Sequence, residues 1–247
     1  MLESHPDIET PESATSIWRY MPIDKFLHLL TSSSLWFSRC DFFEDGWEGR
    51  YSDATFATFL RSFKGPEEKI RDFWDWHQRQ NQEIQNCLYI NCWHINEEES
   101  AALWQIYSTF GKSVAVKTTM HRLRDAVADN NLSIQCGRVK YLNYANETMP
   151  MENLFTPFMR KRRSFAFENE LRMLFWDTDL MANARDNPDT KIPPGKRVPI
   201  KLEPLIETIY ISPHAQSFLR ETIETLVEKF DLKRTKIVQS NLFAAPM

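Results

Sequence analysis

The apolar positions of this chain change period several times, and those changes mark its elements. Residues 16–21 (SIWRYM) form a short run of strand type, and residues 22–30 open on Pro22 and then place Phe26, Leu27, Leu29 and Leu30 at helical spacing. Residues 35–38 (LWFS) return to a strand. From 53 to 85, Phe56, Leu60, Phe63, Ile70, Phe73 and Trp74 recur at roughly helical spacing, and the break at Gly65-Pro66 predicts two helices. Residues 87–93 (CLYINCW) read as a buried strand, 100–110 as a helix begun by Ser100 and ended by Gly111, and 112–118 (KSVAVKT) as another strand.

Beyond these, the pattern predicts a short helix at 121–128, strands at 134–144 and 167–176, a polar loop at 177–196, strands at 197–202 and 206–212, a helix at 215–230 and a strand at 235–239. Short strands interspersed with helices in this irregular order predict an α+β fold with mixed, mostly antiparallel sheets flanked by helices, rather than a βαβ series. Residues 1–15 are polar and hold two Pro, so they are expected to form a flexible tail, with 16–247 as a single domain. The segment 39–52 (RCDFFEDGWEGRYS) mixes acids, aromatics and Gly without a period, which marks a structured loop of a kind that carries function.

Composition narrows the function classes. Six Gly are present where roughly 17 are expected at the usual ~7%, and no Gly-rich phosphate-cradling motif occurs. A net charge of −4 gives no global positive field for nucleic acid or acidic membranes, although local patches remain open to it. Four cysteines without a C-x-x-C pair, an N-terminus without an apolar leader and no apolar run near the roughly 18 residues of a membrane span predict a soluble cytoplasmic protein with reduced thiols. The six histidines lack metal-ligand spacing, so no metal centre is expected, and His94 beside Trp93 is the one to watch.

Chemistry concentrates in 167–176 (FENELRMLFW). On a strand Glu168, Glu170 and Arg172 project to one face, the carboxylates about 7 Å apart, with Phe167, Asn169, Leu171 and Met173 opposite. Two readings fit: a polar catalytic row in a cleft, or the salt-bridge row of any half-exposed strand. The preceding run Arg160-Lys161-Arg162-Arg163 suits phosphate groups, though such a run is more often simply a solvated loop. Trp104 and Tyr107 share a helix face and read more simply as core aromatics than as ligand contacts.

The landmarks fall in a familiar order: Arg19-Tyr20, the Trp36-Phe37-Ser38 strand with its acidic loop, Trp104 and Tyr107 after Cys92-Trp93, Phe167-Glu168-Asn169-Glu170-Leu171-Arg172, and Ile209-Tyr210-Ile211-Ser212-Pro213 before a helix and a strand closing on Ser240. In this the chain resembles the bacterial domain-of-unknown-function 2971 family from about residue 17 to 240. It departs in the acidic loop, where Glu44-Asp45-Gly46-Trp47-Glu48 replaces the family's N-D-P followed by an acid.

The E-x-E strand is also similar to that of ADP-ribosyltransferases. That likeness implies an ADP-ribosyltransferase-like core in which Glu170 binds the nicotinamide ribose of NAD and Glu168 orients a macromolecular acceptor, protein or nucleic acid. Arg19 would hold the phosphates or ribose, Tyr20, Trp36 and Tyr107 would stack on a ring, and Ser38 and Arg172 would complete the cofactor contacts. Two rivals stand beside it. One is a non-catalytic nucleotide- or partner-binding protein, as in phage defence; the other is a metal-dependent nuclease, which lacks its E-x-K lysine because Leu171 and Arg172 follow Glu170.

Overall fold

A computed structural model describes all residues but 1, 4, 6, 109, 110, 130 and 245–247. In chain order the elements are β1 (Leu2–Glu3), β2 (Ser16–Pro22), α1 (Ile23–Ser32), β3 (Ser34–Arg39), α2 (Asp53–Ser62), α3 (Glu67–Cys87), β4 (Leu88–Ile95), α4 (Ala101–Tyr107), β5 (Ser113–Thr119) and α5 (Met120–Ala126). There follow β6 (Ile134–Arg138), β7 (Lys140–Leu142), β8 (Arg160–Arg162), β9 (Glu170–Trp176), α6 (Thr178–Asp186), β10 (Gly195–Pro199), α7 (Leu202–Leu205), β11 (Thr208–Ile211), α8 (Ser217–Lys229) and β12 (Lys236–Gln239).

The fold is α+β. One sheet runs β1-β6-β9-β4-β2-β5-β11-β12, mostly antiparallel, with parallel pairs only at β1–β6 and β11–β12 among the described strands. β7 and β8 form a separate parallel pair. One face of the sheet is covered by Phe26, Leu29 and Leu30 of α1, Leu123 of α5 and Leu219 and Ile223 of α8, packed on Ile17, Val116, Leu171 and Met173. The other face receives Ile84 of α3, Phe158, Met159 and Met181 of α6, packed on Leu88, Ile90 and Leu174. Each such fully buried side chain contributes roughly 1.5–3 kcal/mol.

Local sequence sets the boundaries. Side chains of Ser52, Ser100, Thr119 and Asp177 accept from the amides of Thr55, Leu103, Arg122 and Leu180, capping α2, α4, α5 and α6. The helix expected over 100–110 ends at Tyr107, and the rest of its expected span reaches residues 109 and 110, outside those described. The expected loop at 177–196 contains α6, whose few apolar residues, Leu180 and Met181, gave a weak period.

The expected flexible tail is instead docked on the sheet. β1 pairs with β6, Ile8 is buried, and the Glu9 carbonyl accepts from the Arg138 amide at 2.9 Å. Gly137 permits this approach, because a methyl group there would collide with the Ile8 side chain and stand 2.8 Å from the Glu9 carbonyl oxygen. No helix among the described residues is long and apolar enough to cross a membrane.

The sheet forks at β4. One edge of β4 pairs continuously with β9 from Leu88 to His94. Its other edge is shared: β2 pairs at Ile95 and His94, and β3 pairs at Ile90 and Tyr89. Asn91, Cys92 and Trp93 lie between the two prongs and pair with neither.

Candidate functional site

The E-x-E row does not form as expected. Residues Arg163–Glu168 make a 3-10 helix, Asn169 takes a left-handed conformation at φ 36°, and β9 starts only at Glu170. Asn tolerates that conformation better than most residues. The bend is fixed by a two-way clasp with β4, in which the Asn169 side chain donates to the Ile95 carbonyl and the Ile95 amide donates to the Asn169 carbonyl. Glu168 therefore sits off the strand.

β9 is buried on both faces, so its charges are buried with it. Arg172 is 0% exposed and all its guanidinium nitrogens are engaged. Nε and Nη2 donate to Glu170 at 2.6 and 3.1 Å, Nη1 and Nη2 donate to Glu48 at 2.8 Å each, and Nη1 also donates to the Phe158 carbonyl at 2.6 Å. Lys161 on β8 places its Nζ 2.5 Å from Glu168 and 3.5 Å from both Glu48 and Glu170. The result is a compact group of three carboxylates and two cations. A buried charge group of this kind is stable only when every member is paired.

Glu48 belongs to the acidic loop, and its neighbour Gly49 has φ 71° and a Cβ position 2.5 Å from the Phe158 ring, so only Gly fits the turn that delivers Glu48 to Arg172. Glu48 is the member of the charged cluster that the sequence pattern missed, and Lys161, read there only as part of the basic run, is the one it did not assign to the carboxylates. Arg160 and Lys161 are buried on β8, while Arg162 pairs with Asp45 and the largely exposed Arg163 with Glu147, so only the first half of the basic run is withdrawn from solvent. A signal for Glu48 existed: Leu171, Met173 and Phe175 on one face and Leu174 on the other describe a strand buried on both sides, where an Arg requires a buried acid.

The electrostatics separate the two carboxylates. Burial pushes the Glu168 carboxyl up, outweighing its bond to Lys161. Burial acts the same way on Glu170, but Arg172, Lys161 and the Cys92 thiol together hold it below the usual carboxylate range. Burial works to lower Lys161, and Glu170, Glu48 and Glu168 overcome it, so the amine stays charged. Glu170 is 5% exposed with both oxygens on Arg172, whereas the Glu168 side chain is 26% exposed.

The remaining expected site residues gather around the fork. Arg19 lies just past the point where β2 leaves β4, with its guanidinium 5.7 Å from the centre of the Trp93 ring. By register it belongs to the sheet face opposite Glu170 and Arg172, since it pairs with Val116 of the main core while Trp18 pairs with His94. Its Nη1 is fully buried and has no partner. Burial draws the guanidinium below its ordinary value, while Cys92 and Tyr107 pull it up. Tyr107 at the end of α4 is 42% exposed, and its hydroxyl is raised by desolvation and then by Cys92, Glu168 and Glu170. Tyr107 thus couples to both Arg19 and the carboxylates.

Tyr20 does not offer a free face. It is buried among Trp18, Trp104 and His94, and its hydroxyl accepts from the Ser100 amide at 2.8 Å. Trp36 is exposed on the other prong, beside His28 and Gly195, and its carbonyl accepts from Asn91, whose Oδ1 holds the Trp93 indole. Ser38 sits within the sheet between Ile90 and Gly195. His94 is buried, and burial keeps its ring neutral. Its Nδ1 donates to the Glu168 carbonyl at 2.5 Å, and its Nε2 has no partner. Trp104 is a core residue bonded to Glu99.

No family model matches the chain, and no curated protein matches it. Solved structures do. Thermus sp. 2.9 DarT in complex with ADP-ribosylated ssDNA overlaps 94% of this chain and 97% of its own at 13% identity and a TM-score of 0.42. The same protein in complex with NAD+ overlaps 94% and 98% at 12% identity, again with a TM-score of 0.42. A likeness this loose carries no argument about activity, and the resemblance to the domain-of-unknown-function 2971 family rests on its motifs alone.

Among the described residues no group of three or more His, Cys, Asp or Glu side chains is placed to hold a metal. The clustered carboxylates Glu48, Glu168 and Glu170 already have Lys161 among them, which is where a nuclease would need its cation.

Proposed function

We propose that the protein binds NAD at the fork and transfers its ADP-ribose to a macromolecular acceptor. The observation that carries this is the Arg19 guanidinium, a charge with a buried unpartnered nitrogen that lies 5.7 Å from the Trp93 ring and feels Cys92 and Tyr107, at the gap in the sheet across β4 from the Glu170 strand. A dinucleotide asks for those three things together: a cation for phosphate, an aromatic wall, and carboxylate charge near the ribose.

The division of the carboxylates supports transfer. Glu170 is ionised at working pH and supplies fixed negative charge through a rigid clamp, and Glu168, reachable and with a raised pKa, takes the proton of the acceptor nucleophile. The glycosidic bond to nicotinamide breaks with its electron pair on nicotinamide, and the new bond forms from the acceptor. The second reading, binding without turnover, is favoured by the capture of both Glu170 oxygens by Arg172.

Nicotinamide release from NAD, with cell lysate as the source of acceptors, separates the two. Release by the protein that is lost in Glu168→Gln and in Glu170→Gln supports transfer. An NAD-dependent thermal shift without release supports the binding protein, and neither signal overturns both readings.

A further inference from the structure

A concavity opens beside the charged cluster. Its volume is about 710 Å³, within the range of small-molecule sites, and its walls are the acidic loop (Glu44, Asp45, Trp47), Arg50, Arg162 and Phe165. It adjoins Glu168, because Lys161 reaches that carboxylate and also lies 4.8 Å over the Phe165 ring.

The walls have a definite chemistry. The Arg162 guanidinium stands 5.7 Å from the Trp47 ring and 5.5 Å from the Phe165 ring, so three flat π surfaces converge. Asp45 accepts from Arg162 Nη2 at 2.7 Å and so is spent, while Arg162 Nε is buried without a partner. Arg50 is exposed and makes no ion pair among the described residues. A cationic side chain would meet Arg50 and Arg162 and be repelled. An acidic peptide would leave the aromatic walls unused. A planar base stacked on Trp47 or Phe165 uses the rings, presents amino hydrogens to Glu44 and carries a phosphate to Arg50.

We propose that this cavity is a nucleotide subsite separate from the fork, taking one base with its phosphate, from a free nucleotide or from a nucleic-acid strand. Its binding chemistry stands without the transferase reading; its role as the acceptor seat beside Glu168 rests on that reading.

Equilibrium dialysis of the full chain against AMP and against an unstructured deoxyoligonucleotide tests it. Gly46 lines the cavity and supplies the blocking variant, since a Cβ there meets nothing within 4 Å and Gly46→Leu adds bulk at the wall without a clash. Gly46→Leu, Arg50→Ala and Phe165→Ala are each expected to weaken binding of the better ligand by roughly tenfold or more. Equal affinity for AMP and oligonucleotide marks a free nucleotide as the natural ligand; tighter, salt-sensitive oligonucleotide binding marks a strand. Failure of the wild-type chain to bind either probe, or unchanged affinity in Gly46→Leu, overturns the proposal. The NAD thermal shift is expected to vanish in Arg19→Ala and persist in Gly46→Leu. AMP or oligonucleotide binding without any NAD response removes the transferase reading and leaves this one standing.

Discussion

Glu48 and Arg172 meet through two parallel hydrogen bonds of 2.8 Å across 124 positions of sequence, with neither side chain more than 1% exposed. The pair ties the acidic loop to the middle of the sheet, and it fixes the geometry in which Arg172 holds Glu170. Planar, two-pronged pairing of this kind is specific to Arg, so Lys at position 172 would not reproduce it.

Glu48→Ala leaves Arg172 with half of its counter-charge in a buried site and is expected to destabilise the fold by roughly 3–5 kcal/mol. Urea unfolding measures it. A loss of about 1 kcal/mol or less, the figure for an exposed pair, would sink the assignment of Glu48 as an obligatory partner.

The two carboxylates give opposite pH responses. Glu168 has its pKa raised by folding, so its contribution is fully present below the ordinary carboxylate range and is lost as pH rises through the raised value. Glu170 has its pKa lowered, so its contribution is present above that range and is lost as pH falls through the depressed value. The melting temperature of Glu168→Gln, taken relative to the wild type, is therefore expected to climb from the carboxylate range toward neutrality. A difference that is flat with pH, or falls, contradicts the raised Glu168 pKa.

Arg19 occupies a core register position with a buried unpartnered nitrogen, which a protein retains for function at a cost in stability. Arg19→Met, similar in length and apolar, is expected to stabilise the free protein by roughly 1 kcal/mol while removing the NAD-dependent thermal shift. If melting temperature falls instead, Arg19 has a structural partner and the ligand assignment fails.

Gly137→Ala is expected to lift the N-terminal segment from the sheet, because the added methyl meets Ile8 and the Glu9 backbone. Hydrogen exchange of the Arg138 amide, which donates to the Glu9 carbonyl, reports this directly: faster exchange in the variant is expected, and an unchanged rate contradicts the docking.

What was legible in the sequence was local. The break at Gly65-Pro66 between α2 and α3, and the run from β4 through β5, follow from side-chain period and caps that lie within a few residues of one another. The docked N-terminus was illegible because its stabilisation comes from β6, far along the chain, and its few apolar residues carry no period. Glu168 was assigned to the strand because alternation alone cannot reveal that Asn169 turns left-handed between the two glutamates. The fork brings Arg19 and Trp36 to opposite prongs of one strand edge, a relation set by register, which no motif encodes. The acid that Arg172 needs was implied by the apolar character of β9, but its identity depended on a loop closing over the sheet.

The inequality of three acids against two bases at Glu48, Glu168, Glu170, Lys161 and Arg172 has a directional effect once Glu168 is ionised. Surplus negative charge lies on one side of β4, and the Arg19 cation lies at the other edge. A molecule with a cationic ring at one end and phosphates at the other can then lie in only one sense. Under the proposed transferase reading, loss of the cationic ring removes one of its two attachments, so the product would be held less firmly than NAD.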